Sequence, residues 1–460
     1  MTLEEQVLVL IAENKQLREK ISNLENHILQ QDNRISYLEE ELRKARTRKN
    51  SSNSSLAPST DISNPKRNQS LRESSGKKSG GQLGHKGTTL QMSDTPDEIT
   101  ELNPNYCSKC GCDLEQEEAH FESKRQEYDI PLIKFIVKEY RRNSKKCPSC
   151  GHNQESKFPE HITNHVQYGQ NVESLVSYLS VYQYLPFRRL KECMRHFFKL
   201  NFSEGTINNM LNRMSKKSQP IYDTIRETIS QSKQVGSDET SVKVNSKKHW
   251  IWAWQTPSLT FLTASKSRGS QTIDNIFPAG LPNSVLNSDR WAAQLKTVAA
   301  GHQLCIAHLL RDLKYLEQLE RNNWTKRLTV LLKKSLKLKE QQVEYTRGDT
   351  VALELEKELD ILLEESIAKD INSKTLALQK SLIKHRNSIF TFLYNKYTPP
   401  DNNASERAIR NTKVKQKISG QFKSGQHIFC ILRSVIDTCK KRNIDVMNAL
   451  SDIARLVPAE

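Results

Sequence analysis

The sequence predicts a multidomain α+β protein, and three observations carry that prediction. A heptad repeat fills the first 45 residues, two Cys-x-x-Cys-Gly knuckles lie between residues 107 and 151, and β-like runs begin at residue 234. At 460 residues the chain has room for roughly three domains. Only 36% of residues are hydrophobic, which is low for one continuous globule. No stretch reaches the ~18 consecutive apolar residues of a membrane span, and Glu4 and Glu5 precede the first apolar patch, unlike a signal peptide. A cytoplasmic protein without membrane contact is expected. The net charge of +17 favours polyanions without naming one.

Residues 1–45 read as a coiled coil. Leu3, Leu10, Leu17, Leu24, Gln31, Leu38 and Ala45 occupy one seam position, and Val7, Asn14, Ile21, Ile28, Ile35 and Leu42 the other. Such a stripe cannot be buried by one isolated helix, and β-branched residues at a, Leu at d and a single Asn at a favour a parallel dimer. A homodimer or higher assembly is therefore expected. Residues 1–42 carry nine acids against four bases, whereas residues 43–92 carry eleven bases against Asp61 and Glu73. The segment 46–98 is rich in Ser, Asn, Gly and Lys, too polar to form a core, and reads as a basic arm on nucleic-acid phosphates, with Lys77, Lys78 and Lys86 as contacts.

Residues 99–165 predict a zinc ribbon. Cys107, Cys110, Cys147 and Cys150 come in two CxxCG turns whose glycines, Gly111 and Gly151, admit a left-handed backbone. Four sulfurs make the closed shell of structural Zn²⁺, with no position open for catalysis. Residues 130–140 alternate like a strand between the knuckles. The next segment, 166–232, is helical. Ser203 is a plausible N-cap between two helices, the pattern of a helix-turn-helix, with Asn208, Asn209 and Arg213 exposed to read DNA. Any helical bundle fits equally well.

From residue 233 to 425 the pattern is that of a catalytic α/β domain. Runs at 234–244, 249–256 and 258–264 form a meander, and runs at 284–287 and 303–307 alternate with helix. That order is the order of a ribonuclease H-like domain, in which one acid sits on the first strand and another just past the fourth. Asp238 and Asp289 fall there, and Glu239 is expected to face away from Asp238. A helical insertion, about 315–398, ends at Pro399-Pro400. Asp401-Asn402-Asn403 then caps a helix carrying Glu406, which could return to the sheet edge. Three hard carboxylates suit one or two Mg²⁺ (or Mn²⁺) ions. Arg407, Arg410, Lys413, Lys415 and Lys417 surround Glu406 as candidate DNA contacts, and residues 426–460 form a C-terminal helical domain.

These residues also carry a family resemblance. The chain resembles the insertion-sequence-66-type transposases, enzymes of DDE chemistry with a zinc-binding N-terminal region. The matching stretches are the Ser-Gly-Gly-Gln-Leu-Gly-His-Lys-Gly run at 79–87, the CxxCG pair, Asp238-Glu239-Thr240, Ser288-Asp289-Arg290-Trp291, the run from Cys305 to Arg311, and the run from Asp401 to Arg410. The chain departs from the family pattern at Trp291, where Tyr is usual, and within 306–311, where His308 and Arg311 read as phosphate or structural contacts. The resemblance implies Asp238, Asp289 and Glu406 as a catalytic triad. It also implies metal-dependent cleavage at the ends of a bacterial insertion sequence, strand transfer to target DNA, and accessory proteins of the same element. The alternatives are a DNA-binding regulator, a plain nuclease of the same fold, or an inactive transposase derivative.

Overall fold

The computed structural model describes residues 3–47, 90–130, 135–320, 322–341, 343–367 and 373–456, together with residues 49, 53, 84 and 133. Most of the basic arm, including Lys77, Lys78 and Lys86, lies outside the described residues. The heptad segment is one helix, α1 (Leu3–Arg46), about 66 Å long at 1.5 Å per residue. Along its seam Leu10, Leu17, Ile21, Leu24, Ile28, Ile35, Leu38 and Leu42 are about half exposed. At its C-terminal end Arg43 pairs with Glu40 and donates to the carbonyls of Gln318 and Leu319.

The second cysteine knuckle sits on a small antiparallel hairpin, β1 (Ser144–Lys146) and β2 (Asn153–Glu155). The first is closed by a bridge between Tyr106 and Asp113. The strand expected over 130–140 does not form among the described residues there: they join no ladder, and Ile133, Phe135, Ile136 and Val137 are exposed. Alternation makes a strand only where a neighbour takes up its N–H and C=O groups.

Helices α2 (Gln170–Ser177), α3 (Phe187–Phe198) and α4 (Glu204–Ser230) follow. Ser203 caps α4 by accepting from the Thr206 N–H at 3.0 Å. Beyond the motif α4 continues through Pro220, burying Tyr222, Ile225 and Ile229.

A five-stranded sheet comes next: β3 (Gln234–Val244), β4 (Lys247–Gln255), β5 (Thr260–Ser265), β6 (Leu281–Ser288) and β7 (Ala299–Leu304). Its order is β5-β4-β3-β6-β7, with β3, β4 and β5 antiparallel and β6 and β7 parallel to β3. Asn245 and Ser246 both take positive φ, the two-residue turn that suits the twist of the β3–β4 hairpin. Interior strand β4 is covered on both faces, hence its unbroken buried run of Ile251, Trp252, Ala253 and Trp254. Short helices α5 (Ser270–Ile276) and α6 (Ala292–Leu295) link the later strands. The apolar run 303–307 is divided: β7 ends at Leu304 and α7 (Ile306–Glu320) begins after Cys305. So short an apolar run fits either period.

Helices α8 (Asn323–Glu340), α9 (Thr350–Glu364) and α10 (Ser373–Lys384) extend from α7 around a core of their own that includes Leu313, Leu328, Leu359 and Phe392. The chain returns as α11 (Asn403–Ser419), α12 (Gln426–Lys441) and α13 (Val446–Arg455). One apolar core runs from α2–α4 through the sheet to α11–α13. On edge strand β5, the Thr260 and Leu262 N–H groups donate to the Thr438 and Ser434 hydroxyls of α12 at 3.1 and 2.8 Å, so a helix closes that edge. Among the described residues no helix is long and apolar enough to cross a membrane.

Candidate active site

β3 and β6 run in parallel with Gly236 opposite Asn287. Asp238, two residues further along β3, and Asp289, just past the end of β6, are therefore brought near each other. The Cys305 N–H donates to Ser288 O at 3.0 Å and fixes the start of α7 beside Asp289. The buried His308 follows, with Nδ1 2.8 Å from Asp289 Oδ1 and Nε2 3.6 Å from Glu406 Oε1. Burial by itself would lower the His308 pKa, but its contacts with Asp289 and Cys305 outweigh burial and hold it well above the usual value.

Glu406 arrives through a turn pinned to the sheet. Asn287, buried in β6, donates to Pro399 O at 2.7 Å and Asp401 O at 2.9 Å, while the Ile306 N–H donates to Pro400 O at 2.9 Å. Asn402 reaches back to β3, where Nδ2 donates to Ser237 O at 2.6 Å. The Asp-Asn-Asn triplet thus divides its work differently from the simple cap expected. Asn402 occupies the N-cap position without capping, and Asp401 accepts from the Asn403 N–H at 3.1 Å. Gly236 makes the close approach possible, since a Cβ there would lie 2.5 Å from Ser405 Oγ and 2.6 Å from Gln255 Nε2. From α7, Arg311 donates to Glu406 Oε1 at 3.0 Å.

Burial, then the carboxylates of Asp289, Glu239 and Glu406, push Asp238 well above the carboxylate range, against a lowering hydrogen bond from the Glu239 N–H. Acids that raise one another's pKa favour a bound cation, and their oxygens are the hard donors that Mg²⁺ or Mn²⁺ takes, but the oxygens of Asp238, Asp289 and Glu406 do not all lie within 4.8 Å of one another. Among the described residues, the three donors lying within 4.8 Å of one another are those of Asp289, Cys305 and His308. That mixed set suits zinc better than magnesium, and its sulfur already accepts from the Asn402 N–H at 3.2 Å. Glu239 turns to the other face, where Arg268 Nε donates to it at 2.7 Å and Gln294 Nε2 at 3.0 Å.

Both cysteine knuckles are formed. Gly111 and Gly151 take φ of 74° and 75°, and their N–H groups donate to Cys107 O and Cys147 O. Backbone N–H groups of Cys110 and Lys109 lower the Cys107 pKa, and those of Cys150 and Ser149 lower that of Cys147. This favours the thiolate that a metal needs. No three of these sulfurs lie within 4.8 Å of one another, so the two knuckles are not closed on a common centre.

The candidate DNA contacts fall into two groups. Asn209, Arg407, Arg410 and Lys417 are exposed, and Asn208 is half-buried. Arg213 is held by Glu173, with Nε 2.7 Å from Oε1. Lys413 donates to Ser241 O at 2.7 Å and Lys415 to Ser180 O at 3.4 Å, both turned inward. Burial lowers both ammonium groups, Lys415 to about 8. Sequence reasoning missed Gly236, Arg268 and Asn287. A glycine inside a strand and an Asn in a buried strand were the available signals.

Two family models match the chain. The transposase IS66 family model covers residues 165–427, more than half of the chain, and a zinc-finger binding domain of transposase IS66 covers residues 104–151. No curated protein matches.

Proposed function

The chain belongs to the transposase IS66 family, and from that premise we propose that it cleaves the ends of a bacterial insertion sequence and joins them to target DNA, using Asp238, Asp289 and Glu406. The observation that carries this reading is the nearness of Asp238, on β3, to Asp289, just past the end of the parallel strand β6, with Glu406 linked to the same cluster through His308 and Arg311. The sheet order, a meander followed by two parallel strands, supports a ribonuclease H-like catalytic domain.

The three carboxylates would hold the cation. Bound there, Mg²⁺ or Mn²⁺ would supply Lewis-acid activation of water and stabilise the leaving 3′ oxygen. His308 spaces Asp289 from Glu406 and orients the Asp289 carboxylate. Arg311 balances the charge of Glu406, and the exposed Arg407 and Arg410 take up phosphates next to it. Water adds to the phosphorus at the element end and the 3′ oxygen leaves, taking up a proton; the freed 3′-OH then attacks a target phosphodiester, whose own 3′ oxygen leaves in turn. No side-chain nucleophile is required. Cys107, Cys110, Cys147 and Cys150 would hold a structural Zn²⁺ once the knuckles meet. A second copy through α1 and companion proteins of the same element are the proposed partners.

The test is a labelled element-end duplex incubated with purified protein and target plasmid. Joined product that needs Mg²⁺ or Mn²⁺ is expected; cleavage without joining would make the chain a nuclease, and binding without either would make it a regulator.

A further inference from the structure

A row of alternating cations and aromatic rings runs across β4 to the end of β6. Lys248 Nζ lies 4.8 Å from the centre of the Trp250 ring, Arg268 Cζ lies 4.9 Å from that ring, and the same Cζ lies 3.6 Å from the Trp291 ring. The members come from three separate segments: β4, the loop before α5, and the loop after β6. Trp291 stands two residues beyond Asp289.

The row is built rather than accidental. Arg268 is fixed by Glu239, whose side chain is only 3% exposed, and Glu239 is held in turn by Gln294. Trp291 is anchored by its Nε1–H, which donates to Arg268 O at 3.1 Å. Yet both Trp291 and Arg268 keep more than a third of their surface open, 36% and 37%, and Lys248 is exposed. Trp252 and Trp254, on the same strand as Trp250, are wholly buried in the core. The open, cation-flanked tryptophan is thus distinct from the tryptophans that fill the core.

We propose that this row is a binding track for single-stranded DNA, with a base stacking on the exposed Trp291 and phosphates meeting Arg268 and Lys248, which Trp250 supports from the core side. The chemistry fits an unpaired strand: every base offers a π-face, and a ring beside a fixed cation takes base and phosphate together. A paired duplex hides its base faces and could use only the cations. The row stands on the face of the sheet to which Glu239 turns, and its Trp291 end lies two residues along the chain from Asp289. The inference rests on the proposed DNA substrate, and it adds that the protein holds part of that DNA as an unpaired strand.

The test uses the full chain without added Mg²⁺ or Mn²⁺, with a fluorescent single strand of about twelve nucleotides, and with the same sequence as a duplex. The variants are Trp291→Ala, Trp291→Phe and Lys248→Ala, all at exposed positions; Arg268 is left intact because its removal would strand the buried Glu239. Trp291→Ala should bind the single strand about tenfold more weakly, the duplex should be unaffected, and Trp291→Phe should stay within about threefold of the parent. Lys248→Ala should weaken the single strand and reduce its salt dependence. Equal single-strand affinity of Trp291→Ala and the parent, or equal losses on both DNAs, would overturn the track. So would a parent that does not bind the single strand. Metal-dependent cleavage by the parent, measured separately, decides the catalytic reading: cleavage without Trp291-dependent binding removes the track alone, and Trp291-dependent binding without cleavage removes the catalytic role alone.

Discussion

Gly236 shows how one missing side chain can set a site. The helix bearing Glu406 sits against β3 because nothing projects from residue 236. Adding a methyl group in Gly236→Ala forces Ser405, Gln255 or the start of α11 to move. A destabilisation of about 1–3 kcal/mol is expected, and cleavage should fall further than stability, since a displacement of about 1 Å at a catalytic group can cost 10²-fold. Thermal melting and cleavage rate measured on the same protein check this; parent-like cleavage would show that the close approach does not position Glu406. Lys415 gives a pH dependence. Burial depresses its folded pKa to about 8, below the usual 10.5. Below pH 8 both folded and unfolded chains hold the proton, and the fold bears the full cost of a buried charge. Between about 8 and 10.5 the unfolded chain binds more protons, so this residue makes stability rise with pH. Lys415→Met should remove that rise and stabilise the protein at neutral pH; an unchanged melting profile over this range would place Lys415 in solvent instead.

At the scale of elements, the sequence was most legible where pattern and burial coincide. The run 234–244 is β3 to the residue, because its alternation matches a strand with neighbours on both sides. Ser203 marked the start of α4 because a hydroxyl there meets an orphan N–H. The run 303–307 misled because β7 and α7 share it. The stretch 130–140 misled because its described residues have no strand partner. Within the candidate site, Asp238, Asp289 and Glu406 could be picked out from residue type and order. Asn287 and Asn402 could not, because their roles are to bond specific carbonyls that only the folded chain brings near. The two knuckles yield an elemental prediction. Purified protein should carry one zinc per chain and lose it in Cys110→Ser, with melting lowered; less than about half a zinc per chain in the parent would refute the four-sulfur site.

Across the whole molecule the charge has a layout. An acidic helix, α1, carries an apolar seam about half exposed along its length, and a positively charged arm follows it in sequence. The second basic stretch, residues 384–427, encloses Glu406, with only part of its lysines facing outward. Another copy of the same helix would present a surface that matches this seam and bury it. Sedimentation should show the full chain as a dimer or larger and a chain lacking residues 1–45 as a smaller species; a monomeric full chain would contradict this. The central claim is that three acids on β3, after β6 and on α11 cut and join DNA. It is tested most directly by Asp238→Asn, which keeps the side-chain shape and removes the charge. In Mg²⁺ with labelled element-end DNA, this variant should still bind the end but lose cleavage and joining by roughly 10²–10³-fold or more, the equivalent of several kcal/mol of charge stabilisation. An Asp238→Asn protein that cleaves and joins at the parent rate would contradict the account.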